Sequence, residues 1–206
     1  MSKKRVWIDA GTGKHARYAA FIKRALENAG FDVIITTRDH PDAIPMLEYL
    51  GEKFYIAGRW SYSKSPRKKL KASIERQLEL LKIVEEFDPD IHFSFPTVEG
   101  CRVAFGVGIP VVCVGDSPHA THAYKLTVPL TDVFIMSEGI PKETVTCYGI
   151  DENRIVLFKS VDEYAWMSGY KPDQRFLEEL NIDPDKPLVI VREAETKAAY
   201  FPGCLL

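Results

Sequence analysis

The sequence predicts an α/β protein with a doubly wound, mostly parallel, Rossmann-like sheet. Short apolar, β-branched runs alternate with segments of helical period, and seven such strand-like runs precede residue 160. Strands separated by helices form βαβ units, whose right-handed crossovers cover both faces of a parallel sheet. Composition agrees: of 206 residues, 46% are hydrophobic and 27% charged, which suits a folded globular chain.

Val6-Trp7-Ile8, closed by Asp9 and Gly11, reads as a buried strand. Residues 15–29 place Tyr18, Ile22, Ala25, Leu26 and Ala29 on one helical stripe, with Gly30 as the stop. Residues 31–37 are a β-branched strand, 42–50 a short helix, and Phe54-Tyr55-Ile56-Ala57 a strand closed by Gly58. Residues 67–87 form a long helix whose apolar stripe runs through Leu70, Ile74, Leu78, Leu81 and Val84. Residues 91–95 are a strand, 98–107 a small-residue helix ended by Gly108, and 110–114 a very hydrophobic strand. A short helix over 123–130, a strand over 133–136, a helical turn over 142–147 and a last strand over 155–158 complete the series. Tyr170-Lys171-Pro172-Asp173 reads as a linker and 176–180 as one or two helical turns. Residues 187–192 read as a new buried strand, with 14 residues after it. The expected division is a Rossmann-like domain over 1–168 and, over 169–206, a linker and first strand of an incomplete second domain. The alternative is that this strand joins the first sheet.

With 27 basic and 29 acidic residues, nothing in the charge draws the chain toward nucleic acid. Cys101, Cys113, Cys147 and Cys204 form no Cys-x-x-Cys pair and support neither structural zinc nor a disulfide framework. The apolar run after the basic N-terminus is too short for a signal peptide, and no run spans a membrane, so a cytoplasmic protein is expected.

Ligands of an open α/β sheet bind outside the carboxyl ends of its strands, so the loops there hold the candidates. In the first loop, Gly11-x-Gly13-x-x-Ala16 matches the dinucleotide fingerprint, and Thr12 and Lys14 lie within it. Arg38 after the second strand would suit a 2′-phosphate, hence NADP. The bland reading is that any first βα turn of such a sheet favours Gly and Thr. Lys14 is followed by His15, so the loop is no P-loop. His15, at a helix start, would be held neutral by the helix dipole and could take a proton from a hydroxyl; otherwise it caps the turn. Thr97 reads as an N-cap or ligand group, and Glu99 as a helix-dipole residue or ligand group. Asp116, Ser117, His119 and His122 crowd one loop, where buried polar groups are costly unless they serve a substrate. That loop fixes no fourth ligand, so no metal is assigned. Glu138 binds sugar hydroxyls or caps a turn. Arg59, Lys64, Arg67, Lys68, Lys69, Lys71 and Arg76, interleaved with Trp60 and Tyr62, read as a solvated loop and helix start; an anionic acceptor or membrane surface is the alternative. Cys113, inside a strand, reads as inert core.

Taken together, Trp7-Ile8-Asp9-x-Gly11-Thr12-x-Lys14-His15, Thr37-Arg38-Asp39, Ser94-Phe95, the run from Arg102 through Ile109-Pro110, and Asp116-x-Pro118-His119-Ala120 resemble the DUF354 family. That family is mainly archaeal and uncharacterised. It is similar in turn to the N-terminal half of GT-B glycosyltransferases and of UDP-N-acetylglucosamine 2-epimerase. The resemblance implies two Rossmann-like domains facing a cleft. The second binds the nucleotide-sugar; the first binds the acceptor and supplies a base from its first loop, where His15 stands. Residues 189–192 with Ala198 resemble the start of the second domain.

The leading expectation is therefore the N-terminal part of a sugar-nucleotide-dependent glycosyltransferase or epimerase-like enzyme. His15 is its base, and Asp116 and His119 position substrate. Gly11, Thr12, Gly13, Lys14, Arg38, Thr97, Glu99, Ser117 and Glu138 contribute binding. The nucleotide-sugar is a substrate, and no cofactor or metal is implied. Expected partners are a sugar-nucleotide, a glycan or anionic acceptor, a peripheral membrane surface or a second copy, but no nucleic acid. Two alternatives stand beside it: a non-catalytic module that dimerises, and an NADP-binding Rossmann protein.

Overall fold

The strand that begins at Arg5 organises everything else. In the computed structural model, which describes residues 3–60, 63, 65–173, 175–183 and 185–191, β1 (Arg5–Ala10) lies inside a seven-stranded sheet. The other strands are β2 (Asp32–Asp39), β3 (Tyr55–Arg59), β4 (Ile91–Ser94), β5 (Val111–Val114), β6 (Val133–Ser137) and β7 (Ile155–Phe158). Their order is β3-β2-β1-β4-β5-β6-β7, and every pairing is parallel. The chain steps outward from β1 through β2 to β3, then returns to place β4 on the other side of β1. A crevice therefore opens between the carboxyl ends of β1 and β4, the general ligand position of such sheets.

The alternation of side chains along β1 splits the core between two faces. Val6, Ile8 and Ala10 meet α1 (Gly13–Asn28) and α2 (Ala43–Tyr49). Trp7 meets α3 (Pro66–Phe87) and α4 (Val98–Gly106). Beneath β5 and β6, α5 (Thr121–Thr127) and α6 (Glu143–Thr146) close a third cluster around Tyr124, Phe134 and Met136. The fold class and the seven strands agree with the sequence reading, and Gly30 and Gly108 end their helices at φ +92° and +80°. Cys113 is buried, as expected.

Two expectations need correction, and one element is added. The long helix α3 does not bury Leu70, Ile74 and Leu78; they are 62%, 50% and 59% exposed. Its inward face carries Arg76, Leu80 and Val84, because Arg76 is drawn to a carboxylate in β1. Residues 187–191 form no strand, and Leu188, Val189, Ile190 and Val191 are exposed. The remainder of that expectation (Arg192, Ala198), together with Cys204, Tyr62 and Lys64, lies outside the described residues. Finally, a short helix the sequence reading passed over, α7 (Tyr164–Met167), packs Trp166 edge-on against Tyr18, their ring centroids 5.7 Å apart. The last turn, α8 (Arg175–Glu179), buries nothing.

Candidate functional site

The floor of the crevice is a buried ionic group. Asp9 is wholly buried near the end of β1 and would be costly there unpaired. It accepts hydrogen bonds from Arg76 Nη2 at 2.7 Å and Nη1 at 3.1 Å, and from Thr36 Oγ1 at 2.7 Å. Thr36 in turn accepts from Trp7 Nε1 at 2.7 Å. Arg76 is itself only 3% exposed and reaches Glu99 at 3.2 Å. Despite burial, which opposes ionisation, the Arg76 guanidinium holds Asp9 below the usual carboxylate range. The pair needs close approach by two backbones. Arg76 crosses Gly58, where a Cβ would stand 2.7 Å from its side chain. A Cβ on Gly100 would lie within 2.9 Å of Thr97 Oγ1, Asp9 Oδ2 and His92 Nε2. Residues without a side chain are required at both places.

Above this floor lies a cavity of about 220 Å³, lined by Gly11, His15, Arg38, Arg76, residues 95–99 and Ala123. His15 stacks on Phe95, the ring centroids 5.1 Å apart and the planes 16° from parallel. Its Nδ1 is buried and has no hydrogen-bond partner among the described residues. Burial, aided by the positive charges of Lys14 and Arg38, lowers the imidazole pKa to about 4, so the ring is neutral at pH 7. The neutrality expected from the sequence is present, but its main cause is burial rather than the helix dipole. Thr12 is the cap, its Oγ1 accepting from the His15 backbone N–H at 3.3 Å.

Arg38 donates through Nε to the Gly11 carbonyl at 3.0 Å and lies 4.2 Å over the Trp60 ring. Burial lowers its pKa to about 10, and it remains charged at pH 7. It also stands over the glycine loop: a Cβ at Gly11 would meet Arg38 Nη2 at 3.5 Å. A Cβ at Gly13 would be 3.0 Å from Asp42. Packing thus holds Gly13 to its size, while a Cβ at Gly11 would make only ordinary van der Waals contact. Thr97 is the residue before α4 but makes no side-chain cap bond; its Oγ1 pairs with Ser94 Oγ at 3.1 Å. Glu99 sits in the first turn of α4, as the dipole reading expects, and also holds Arg76.

Gly11, His15, Arg38, Thr97 and Glu99 line the cavity together; Thr12 caps the helix beside them, and Lys14 and Asp116 lie close enough for their charges to act on His15. Lys14, Asp116 and Ser117 form a second cluster at the rim. There Lys14 bonds Asp116 and reaches Asp162 at 3.1 Å and Glu163 at 3.5 Å. Ser117 Oγ donates to Asp116 at 2.9 Å. Burial raises the Asp162 carboxyl pKa although Lys14 opposes it. His119 and His122 are exposed, and neither lines the cavity. Glu138 is exposed at the end of β6, where its backbone N–H donates to Phe158 at 3.0 Å. Among the described residues, no group of three His, Cys, Asp or Glu could hold a metal ion. No helix among them is long and apolar enough to cross a membrane.

Arg76, Asp9, Phe95 and Asp162 were missed in sequence. Arg76 stood in a basic run read as solvated. The signal for it was its register: it shares a helical face with Leu80 and Val84, four and eight residues on. Nothing local marks Asp162, which reaches Lys14 because α7, just after it, packs against α1.

A family model described as "Protein of unknown function (DUF354)" matches residues 4–205. Uncharacterized protein MJ0665 of Methanocaldococcus jannaschii is 28% identical over 192 residues, which are 91% of this chain and 55% of that protein. Among solved structures, the UDP-GlcNAc 2-epimerase of the same organism matches with a TM-score of 0.66 at 19% identity, over 87% of this chain and 54% of that one. The UDP-GlcNAc 2-epimerase of Neisseria meningitidis bound to UDP-GlcNAc matches with a TM-score of 0.65 at 16% identity, over 86% of this chain and 51% of that one. At these identities the likeness is one of fold, that of the sugar-nucleotide epimerases. The chain spans about half the length of each of these relatives.

Proposed function

The chain belongs to the DUF354 family, and from that membership and the crevice geometry we propose that it is the substrate-binding N-terminal half of a sugar-nucleotide enzyme. The observation that carries the reading is His15. It is a neutral imidazole with a buried, unpartnered Nδ1, stacked on Phe95 in the wall of the cavity. A neutral imidazole accepts the proton of a bound hydroxyl as its oxygen forms the new glycosidic bond and the nucleotide leaves, or the proton of a ring C–H whose electron pair expels the nucleotide, so it serves either glycosyl transfer or epimerisation. Arg38, Arg76, Thr97 and Glu99 offer donors and acceptors in the same wall, the mixture that sugar hydroxyls require. The cavity, about 220 Å³, is below the roughly 300–1,000 Å³ of most ligand pockets, so it suits one sugar or acceptor group rather than a whole nucleotide-sugar. The nucleotide then falls to the half that the relatives have in addition. Lys14 and Asp116 are not among the residues lining the cavity but lie close enough for their charges to act on His15, which supports a positioning role for them.

The test is turnover of UDP-GlcNAc and related nucleotide-sugars by the native-length protein, followed as released UDP and as epimerised sugar. His15→Ala should reduce it by about 10²–10⁴-fold, the usual contribution of a positioned base. Undiminished activity in that variant would overturn the assignment.

A further inference from the structure

The outer face of α3 is self-complementary, and we infer that two copies of this chain pair through it, antiparallel and about a two-fold axis. Arg67 and Glu85 lie eighteen residues apart on this helix, which at 3.6 residues per turn is about five turns, so they share one line along its surface. Ile74 and Leu78 lie about 20° to either side of that line. Both are exposed, at 50% and 59%, as is Leu70 at 62%, although leucine and isoleucine in contiguous rows are normally covered. Leu70 and the half-buried Leu81 flank the line on one side. Arg67 and Glu85 have no ion-pair partner among the described residues, while Lys71 nearby is paired with Glu75 at 3.7 Å.

The spacing chooses the occupant. The midpoint between Ile74 and Leu78 is also the midpoint between Arg67 and Glu85. A two-fold axis there sets Ile74 of each copy against Leu78 of the other, Leu70 level with Leu81, and Arg67 against Glu85 at both ends. On the remaining flank Lys71, already paired with Glu75, comes level with Lys82. An isologous contact needs this kind of patch, which completes itself when turned over. An anionic lipid surface fits less well. Arg67, Lys68, Lys69 and Lys71 would favour it, but Glu75, Glu79, Glu85 and Glu86 occupy the other half of the same helix.

Sedimentation equilibrium tests this, with and without anionic vesicles present. The wild-type protein should be a dimer, and Leu78→Glu a monomer that keeps the wild-type far-ultraviolet circular dichroism spectrum, since the position is exposed in the single chain, and that melts lower by the stability dimerisation contributes. Arg67→Glu and Glu85→Arg should each weaken dimerisation by about tenfold or more, because two symmetric pairs are lost and like charges meet. The double variant should restore the dimer. A monomeric wild type, a monomer that binds vesicles, a dimer indifferent to Leu78→Glu, or a double variant no better than the singles would each overturn the inference.

Discussion

His15 sets the pH behaviour as well as the chemistry. Its pKa in the folded chain is about 4, against an ordinary value of 6.5. Above pH 6.5 both folded and unfolded chains carry it neutral, so its contribution to stability is then fully present. As the pH falls toward 4 the unfolded chain takes up a proton that the folded chain refuses. Stability should therefore drop by roughly 2–3 kcal/mol across that window on account of this residue. Urea midpoints of wild type and His15→Gln at pH 7 and pH 4.5 check it, and parallel losses in both proteins would show that His15 is not the source. The residue was legible in sequence because it follows a glycine turn at a strand's carboxyl end. Its environment was not, since Phe95 stacks on it from a loop 80 residues away in the chain.

At the scale of the element, α3 shows how one buried ion pair selects a helix face. The apolar residues of α3 form more than one stripe, and hydrophobic periodicity alone favours the face with Leu70, Ile74 and Leu78. Arg76 reverses the outcome by reaching Asp9, with side-chain exposures of 4% and 0%. Removing one partner leaves a buried carboxylate uncompensated, so Arg76→Met should cost about 3–5 kcal/mol in urea unfolding at pH 7. A loss below about 1 kcal/mol would mean that the pair contributes little to docking α3. The same substitution opens the floor of the cavity, so binding of the sugar proposed for it should weaken together with stability. The smaller elements were easier to read. β5 is a short apolar run between Pro110 and Gly115, three of its four residues are buried, and a strand covered on both faces offers no competing face.

On the scale of the whole molecule, the described residues form one α/β layer followed by a segment, 167–191, that adds nothing to its core. None of the described residues from 167 onward is buried. A protein ending at residue 168 should therefore melt within a degree or two of the 206-residue chain, by differential scanning calorimetry. A fall of about 10 °C would show that the tail packs on the first domain after all. The sequence by itself determined the α/β class, the seven strands and the loops in which a site had to lie. Those features rest on local periodicity, on glycines at turns and on the carboxyl-end rule, all written within a few residues of one another. Only the tertiary structure decided which loop residues meet: His15 with Phe95, Arg38 with Gly11, and Asp9 with Arg76, while His119 and Glu138 stay outside. It also decided that α3 turns a leucine and isoleucine row outward. The physical reason is that burial, and the charge pairing burial demands, are set between segments far apart in the chain, and no local pattern encodes which of two usable faces will be the inner one.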